Sequence, residues 1–221
     1  MADERFEVPL FPLNVVLFPG MAMPLHIFEP RYRQMTEDCL ADHAPFGAVL
    51  LRQEEDRETP ARIGTLARIA DCERLAEGRY NLLATGTRRF EIIEIHHEKP
   101  KPYLIGVVRP FRDVDEAATL SEALVAEAQS ALHGYLRAVL ALVGSEDCSI
   151  EVPDDPRELS FVIGMCLTCE DCDKQELLEM RSLPQRLKVG THKLHAEATL
   201  LERQMESHPQ RPHGQDRSML N

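Results

Sequence analysis

Apolar positions in the first half of the chain come in short runs punctuated by proline and glycine, whereas from Thr119 onward they recur every three or four residues. That change of period predicts strands first and helices second. The opening run, Val8-Pro-Leu-Phe-Pro-Leu, contains Pro9 and Pro12, which cannot donate to a sheet ladder, so a short first strand at an edge or with a bulge is expected. Phe18-Pro19-Gly20 supplies a turn, and a second strand is expected from Met23 to Phe28. Pro30 pre-sets the first helical position, and Tyr32, Met35, Cys39 and Leu40 recur at helical spacing, which predicts an amphipathic helix from Pro30 to Ala41. In this reading Phe18, Leu25, Phe28 and Tyr32 belong to the core, while Arg31 and Arg33 project into solvent.

Further strands are expected over Phe46–Leu51, Ile63–Cys72, Tyr80–Thr87, Phe90–His97 and Tyr103–Val108. Arg52 to Arg62 reads as a polar, acidic loop, Gly86 as a turn signal and Lys99-Pro-Lys-Pro102 as a connector. Short strands at this spacing fit a small closed or half-closed barrel. In the second half, one apolar stripe from Leu120 to Val143 predicts a helix of about 24 residues stopped by Gly144. Asp155-Pro-Arg-Glu158 is a near-complete capping box for a helix to Cys166, and Asp173-Lys-Gln-Glu176 and Ser182-Leu-Pro-Gln185 repeat the logic for two more, the last reaching Glu206. His208 to Asn221 has no apolar period and is expected to be disordered.

The blocks Ile63-Gly-Thr-Leu-Ala-Arg-Ile69, Gly78-Arg-Tyr-Asn-Leu-Leu83, Gly86-Thr-Arg-Arg-Phe-Glu-Ile-Ile93 and Tyr103-Leu-Ile-Gly-Val-Val108 follow the opening signature in fixed order. In that order the chain resembles the N-terminal domain of the ATP-dependent Lon proteases (the peptidase S16 family), in the variant found in small stand-alone Lon-domain proteins. The resemblance implies an α+β fold in which a PUA-like β-barrel lobe, residues 1–112, is followed by a four-helix C-terminal lobe, residues 113–206, with a tail over 207–221. It also implies recognition of polypeptides, either as clients or in an adaptor role in protein quality control. The candidates for peptide contact are His26, in the second expected strand, and Glu29, Arg31, Tyr32 and Arg33 at the start of the first helix.

Charge narrows the partners. The net charge of −12 is uneven: residues 1–112 carry 17 acidic and 15 basic side chains, residues 113–206 carry 19 and 8. Nucleic-acid affinity rests on Lys and Arg against phosphates, and no basic run here is denser than Arg88-Arg89, which argues against nucleic acid as a partner. A small-molecule-binding or RNA-binding PUA-like module is the alternative reading. No apolar run reaches the roughly 18–20 residues that span a bilayer, and the acidic start is unlike a signal peptide, so no membrane association and a cytoplasmic location are expected.

Catalytic chemistry has little foothold. There is no phosphate loop, not even a Gly-Lys pair, and no serine in a Gly-x-Ser-x-Gly elbow. A protein without catalysis or cofactor is therefore expected, with clients and a separate protease as its partners. Cys166, Cys169 and Cys172 could give part of a zinc site, completed by His192 and His195. The second Cys-x2-Cys pair of a zinc ribbon is missing, and buried reduced thiols are the simpler reading. His26 and the pair His96-His97 carry no His-Glu-x-x-His pattern and read as polar strand residues.

Overall fold

The computed structural model describes residues 4–54, 57–96, 101–114, 120–144 and 149–207. Seven strands come first: β1 (Phe6–Leu13), β2 (Ala22–Ile27), β3 (Phe46–Glu54), β4 (Arg57–Pro60), β5 (Ile63–Arg74), β6 (Tyr80–His96) and β7 (Ile105–Pro110). Helix α1 (Pro30–Ala41) lies between β2 and β3, and α2 (Glu122–Leu142), α3 (Pro156–Cys166), α4 (Asp171–Glu179) and α5 (Leu183–Ser207) follow the sheet. This is a mixed sheet with five helices, the α+β organisation expected. The tail from His208 and the second histidine of His96-His97 lie outside the described residues.

The strands run in the order β1-β7-β6-β5-β3-β4, with β2 paired to β6. β1 is eight residues long and has partners on both sides, contrary to the short edge strand expected. Its prolines are tolerated because each half pairs on one side: Phe6–Pro9 run antiparallel to β7, and Leu10–Leu13 run parallel to β3. The segment expected to be a polar loop is a hairpin. β3 extends to Glu54 and β4 returns beside it, Leu51 opposite Pro60 and Gln53 opposite Glu58. Its sequence shows no alternation because β4 has no buried face, and Pro60, lacking an N–H, suits the end of the sheet.

β6 is one strand of 17 residues where two were expected. Gly86 marks a close approach, not a turn. The carbonyl oxygen of Phe18 occupies the space where a Cβ would project, the Gly86 amide donates to Met21 O at 2.9 Å, and the Gly20 amide donates back to Gly86 O at 2.9 Å. Gly20 itself has φ +84°, a conformation that favours glycine. This brace holds the β1–β2 connection against the middle of β6.

Local signals set the helix starts. Pro30 occupies the first turn of α1, and Asp155 caps α3 by accepting the Glu158 amide at 2.8 Å. α4 departs from expectation: it begins at Asp171 after Glu170, with no side-chain cap. The Asp173 carboxylate instead pairs with Lys193 on α5 at 2.9 Å.

Three apolar clusters fill the interior. One, with Val8, Leu10, Phe90 and Val108, lies among the strands; a second packs Met35 and Cys39 of α1 on Met23, Ile27 and Leu82. The third joins the helices to the sheet through Phe18, Leu50 and Ile63, which pack with Leu132, Leu159, Ile163 and Leu187. Polar ties reinforce that junction. Gln175 of α4 donates to the carbonyl of Ile63 at 2.9 Å, and Arg89 of β6 donates to the carbonyls of Leu178 and Met180 at 2.6 and 2.7 Å.

Candidate functional site

Inward positions of β2 are Met23, Leu25 and Ile27, so the two-residue period sends Pro24, His26 and Phe28 to the other side. Phe28 is therefore not a core residue. It is 61% exposed, and its ring stacks beside that of His26 with centroids 6.1 Å apart and planes 26° from parallel. His26 Nδ1–H donates to Asn81 Oδ1 at 2.9 Å, which fixes the imidazole; the Asn81 amide in turn donates to Glu73 at 3.1 Å.

These two rings stand on one side of a groove of about 480 Å³. Its floor is aromatic and buried: Tyr32 lies 4.4 Å from Phe11, centroid to centroid. Arg31 lays its guanidinium 4.5 Å from the Tyr32 ring and pairs with Glu29 at 2.8 Å, closing the α1 side. Leu51, Glu58 and Pro60 of the β3–β4 hairpin form the facing wall. Burial pushes the Tyr32 phenol up, with Arg31 opposing and Glu29 adding, so the floor is uncharged at neutral pH. Beyond Asn14 and Leu51, which both cavities share, the groove meets a second one of about 600 Å³ between β3 and α4, walled by Asp171, Glu176 and Glu179.

Of the five side chains proposed from sequence, His26, Glu29, Arg31 and Tyr32 line this groove. Arg33 does not, and it is only partly exposed. Its Nη1 donates to the carbonyl of Glu77 in the turn before β6, and its Nε is buried without a hydrogen-bond partner. Phe28 and Glu58 went unnoticed, the first by assignment to the core and the second by assignment to a loop. The alternation of β2, read one residue past Ile27, would have exposed Phe28. Cys166 is half-buried at the end of α3, Cys169 donates its amide to Glu197 at 2.9 Å, and Cys172 is exposed on α4. Among the described residues no group of three or more His, Cys, Asp or Glu side chains is placed to hold a metal ion.

The model of the ATP-dependent protease La (LON) substrate-binding domain family matches residues 7–195. The Lon protease of Heliobacterium modesticaldum is 30% identical over 202 residues, covering 89% of this chain and 24% of that protein. The Escherichia coli K12 Lon protease is 27% identical over 211 residues, with 90% and 26% covered. The chain thus spans about a quarter of the length of these relatives. Two solved structures share the fold. The Lon N-terminal domain protein from Xanthomonas campestris superposes with a TM-score of 0.63 at 24% identity, covering 83% of this chain and 95% of that one. The N-terminal domain of the Mycobacterium avium complex Lon protease gives 0.65 at 21%, covering 86% and 98%.

Proposed function

Since the chain belongs to the Lon substrate-binding domain family, we propose that it binds polypeptide segments in the groove between α1 and the β3–β4 hairpin, without catalysing a reaction on them. The part of the Lon relatives that it matches is their substrate-binding domain. In this reading residues 1–112 are the PUA-like lobe, residues 113–206 the helical lobe, and the protein recognises unfolded or unassembled chains for quality control, handing them to a separate protease.

The observation that carries the proposal is Phe28. A large apolar side chain left 61% exposed beside a buried aromatic floor supports an anchor role, because apolar area covered on binding is stabilising and anchors of this kind dominate interface energetics. His26 and Arg31 flank it with groups that can hydrogen-bond a backbone, and Glu29 and Glu58 favour clients that carry basic residues.

The test is fluorescence anisotropy with a labelled, permanently unfolded polypeptide such as reduced, carboxymethylated lactalbumin. Phe28→Ala is expected to melt close to wild type and to bind about tenfold or more weakly, the loss typical of a truncated anchor. Leu200→Ala, which removes an exposed side chain on α5, should leave binding unchanged. Equal affinity in wild type and Phe28→Ala would remove the groove from consideration.

A further inference from the structure

Cations outnumber anions where β6, the segment after β7, α3 and α5 converge. Arg89 and Arg186 are both buried and share a single buried carboxylate, Asp113. Arg186 grips it in bidentate fashion, Nη1 to Oδ1 at 2.9 Å and Nη2 to Oδ2 at 3.1 Å, while Arg89 Nη2 donates to Oδ1. Arg157 adds a third guanidinium, its Nε donating to Oδ2 at 2.9 Å. Three cations meet one anion, and the carbonyls of Leu178 and Met180 and the hydroxyl of Ser160 supply the remaining acceptors. Buried charge of one sign in excess is costly and is normally compensated nearby.

A cavity of about 400 Å³ opens directly over this cluster. The buried Arg89 and Asp113 lie at its base, Phe111 and Phe161 line its walls, the largely exposed Arg157 stands over Asp113, and Arg88 and Arg112 form the rim outside that cluster. The rim arginines belong to no part of the Asp113 network. Arg88 sits 5.7 Å from the Phe6 ring, and Arg112 meets Glu4 at 3.1 Å where both are largely exposed. Burial, followed by the charge of Arg186, pushes Arg89 down to about 10, so it is still a cation at neutral pH. Four of the chain's arginines thus line one cavity in a protein of net charge −12. They come from β6, the segment after β7, and the first turn of α3, so no basic run in the sequence announces them.

We infer that this cavity is a binding site for a phosphate group, held by the forked donors of Arg88, Arg112 and Arg157 above the buried pair Arg89 and Arg186. Guanidinium forks match phosphate oxygens in pairs, and a phosphate brings the negative charge that the buried cluster lacks. Asp113 does not oppose it, since both of its oxygens already face arginines. The group could arrive as inorganic phosphate or as an ester; Phe111 and Phe161 offer an ester's carbon skeleton an apolar rest.

Calorimetric titration of the intact protein with inorganic phosphate, at constant ionic strength set with chloride, tests the site. The expected result is saturable binding of one phosphate per chain. Arg88→Gln/Arg112→Gln keeps the stems and leaves the Asp113 network untouched, so its melting temperature without phosphate should match wild type. Its affinity should fall about tenfold or more, as loss of two charge-assisted contacts predicts. Phenyl phosphate binding more tightly than inorganic phosphate would identify an ester as the ligand, and weaker binding would identify the free ion, each within the same site. Absence of saturable binding by either probe, or binding that survives in the double variant, overturns the inference.

Discussion

The ring of Phe18 lies so close to Gly164 that a Cβ on the glycine would stand 2.6 Å from it. Phe18 comes from the β1–β2 connection and Gly164 from the last turn of α3, so this contact lets the helical layer settle on the sheet. Phe18 is fully buried, and its ring lies 6.4 Å from that of Phe161. Gly164→Ala should therefore destabilise the protein by about 1–3 kcal/mol through overpacking, although alanine normally favours a helix. Phe18→Ala should cost about 3–5 kcal/mol through the cavity it leaves. Chemical denaturation of both variants checks the pair; a Gly164→Ala variant at least as stable as wild type would mean that the layers are not held at this distance.

Acid should weaken the fold through two carboxylates. Hydrogen bonds from Lys101 and Tyr103 hold Asp38 below the usual carboxylate range. At Asp113 burial acts upward, but the hydrogen bond and charge of Arg186, with Arg89 and Arg157, outweigh it and the net direction is down. A carboxyl with a lower pKa folded than unfolded binds fewer protons in the native state, so its stabilisation is complete above the unfolded value near 4 and is lost as pH falls through the folded value. Melting temperature is expected to drop as pH is lowered below about 4. Asp38→Asn should shallow that slope at small cost at pH 7. Asp113→Asn should shallow it as well and also lose about 3–5 kcal/mol at pH 7, because Arg89 and Arg186 are left buried without their counter-ion. A wild-type melting temperature constant down to pH 2 would contradict this account.

Thiol reactivity should separate the cysteines. Burial, helped by Asp38 and Asp42, pushes Cys39 up to about 11, so its thiolate is scarce at pH 7.5 and the group is enclosed as well. Cys166 and Cys169 are raised too, burial first in both. Cys172 is exposed on α4. Mass-spectrometric mapping after brief iodoacetamide treatment at pH 7.5 should find Cys172 modified first among these four and Cys39 unmodified until denaturant is added. Early labelling of Cys39 would show that α1 opens readily from the sheet.

Where interactions are between chain neighbours, the residues alone determined the outcome. Pro30 starts α1, Asp155 and Glu158 start α3, and the apolar period of α2 needs no distant partner to be read. The run of strands before helices followed from the same local periods, and the ordered blocks pointed to the family. His26, Glu29, Arg31 and Tyr32 could be nominated together because they lie within seven residues of one another. Tertiary structure decided the rest. Whether Gly86 turns the chain or receives the Phe18 carbonyl depends on a segment some seventy residues away in sequence, and only the sheet pairing shows β4 to be a strand. Phe28 looks like core by composition and becomes exposed because Ile27 takes the inward position on β2. The arginine cavity is the furthest case: Arg88, Arg89, Arg112 and Arg157 line one cavity, and Arg89, Arg157 and Arg186 meet around Asp113, only after β6, β7, α3 and α5 have packed, since charge at a distance in sequence becomes a site only when the fold sets it side by side.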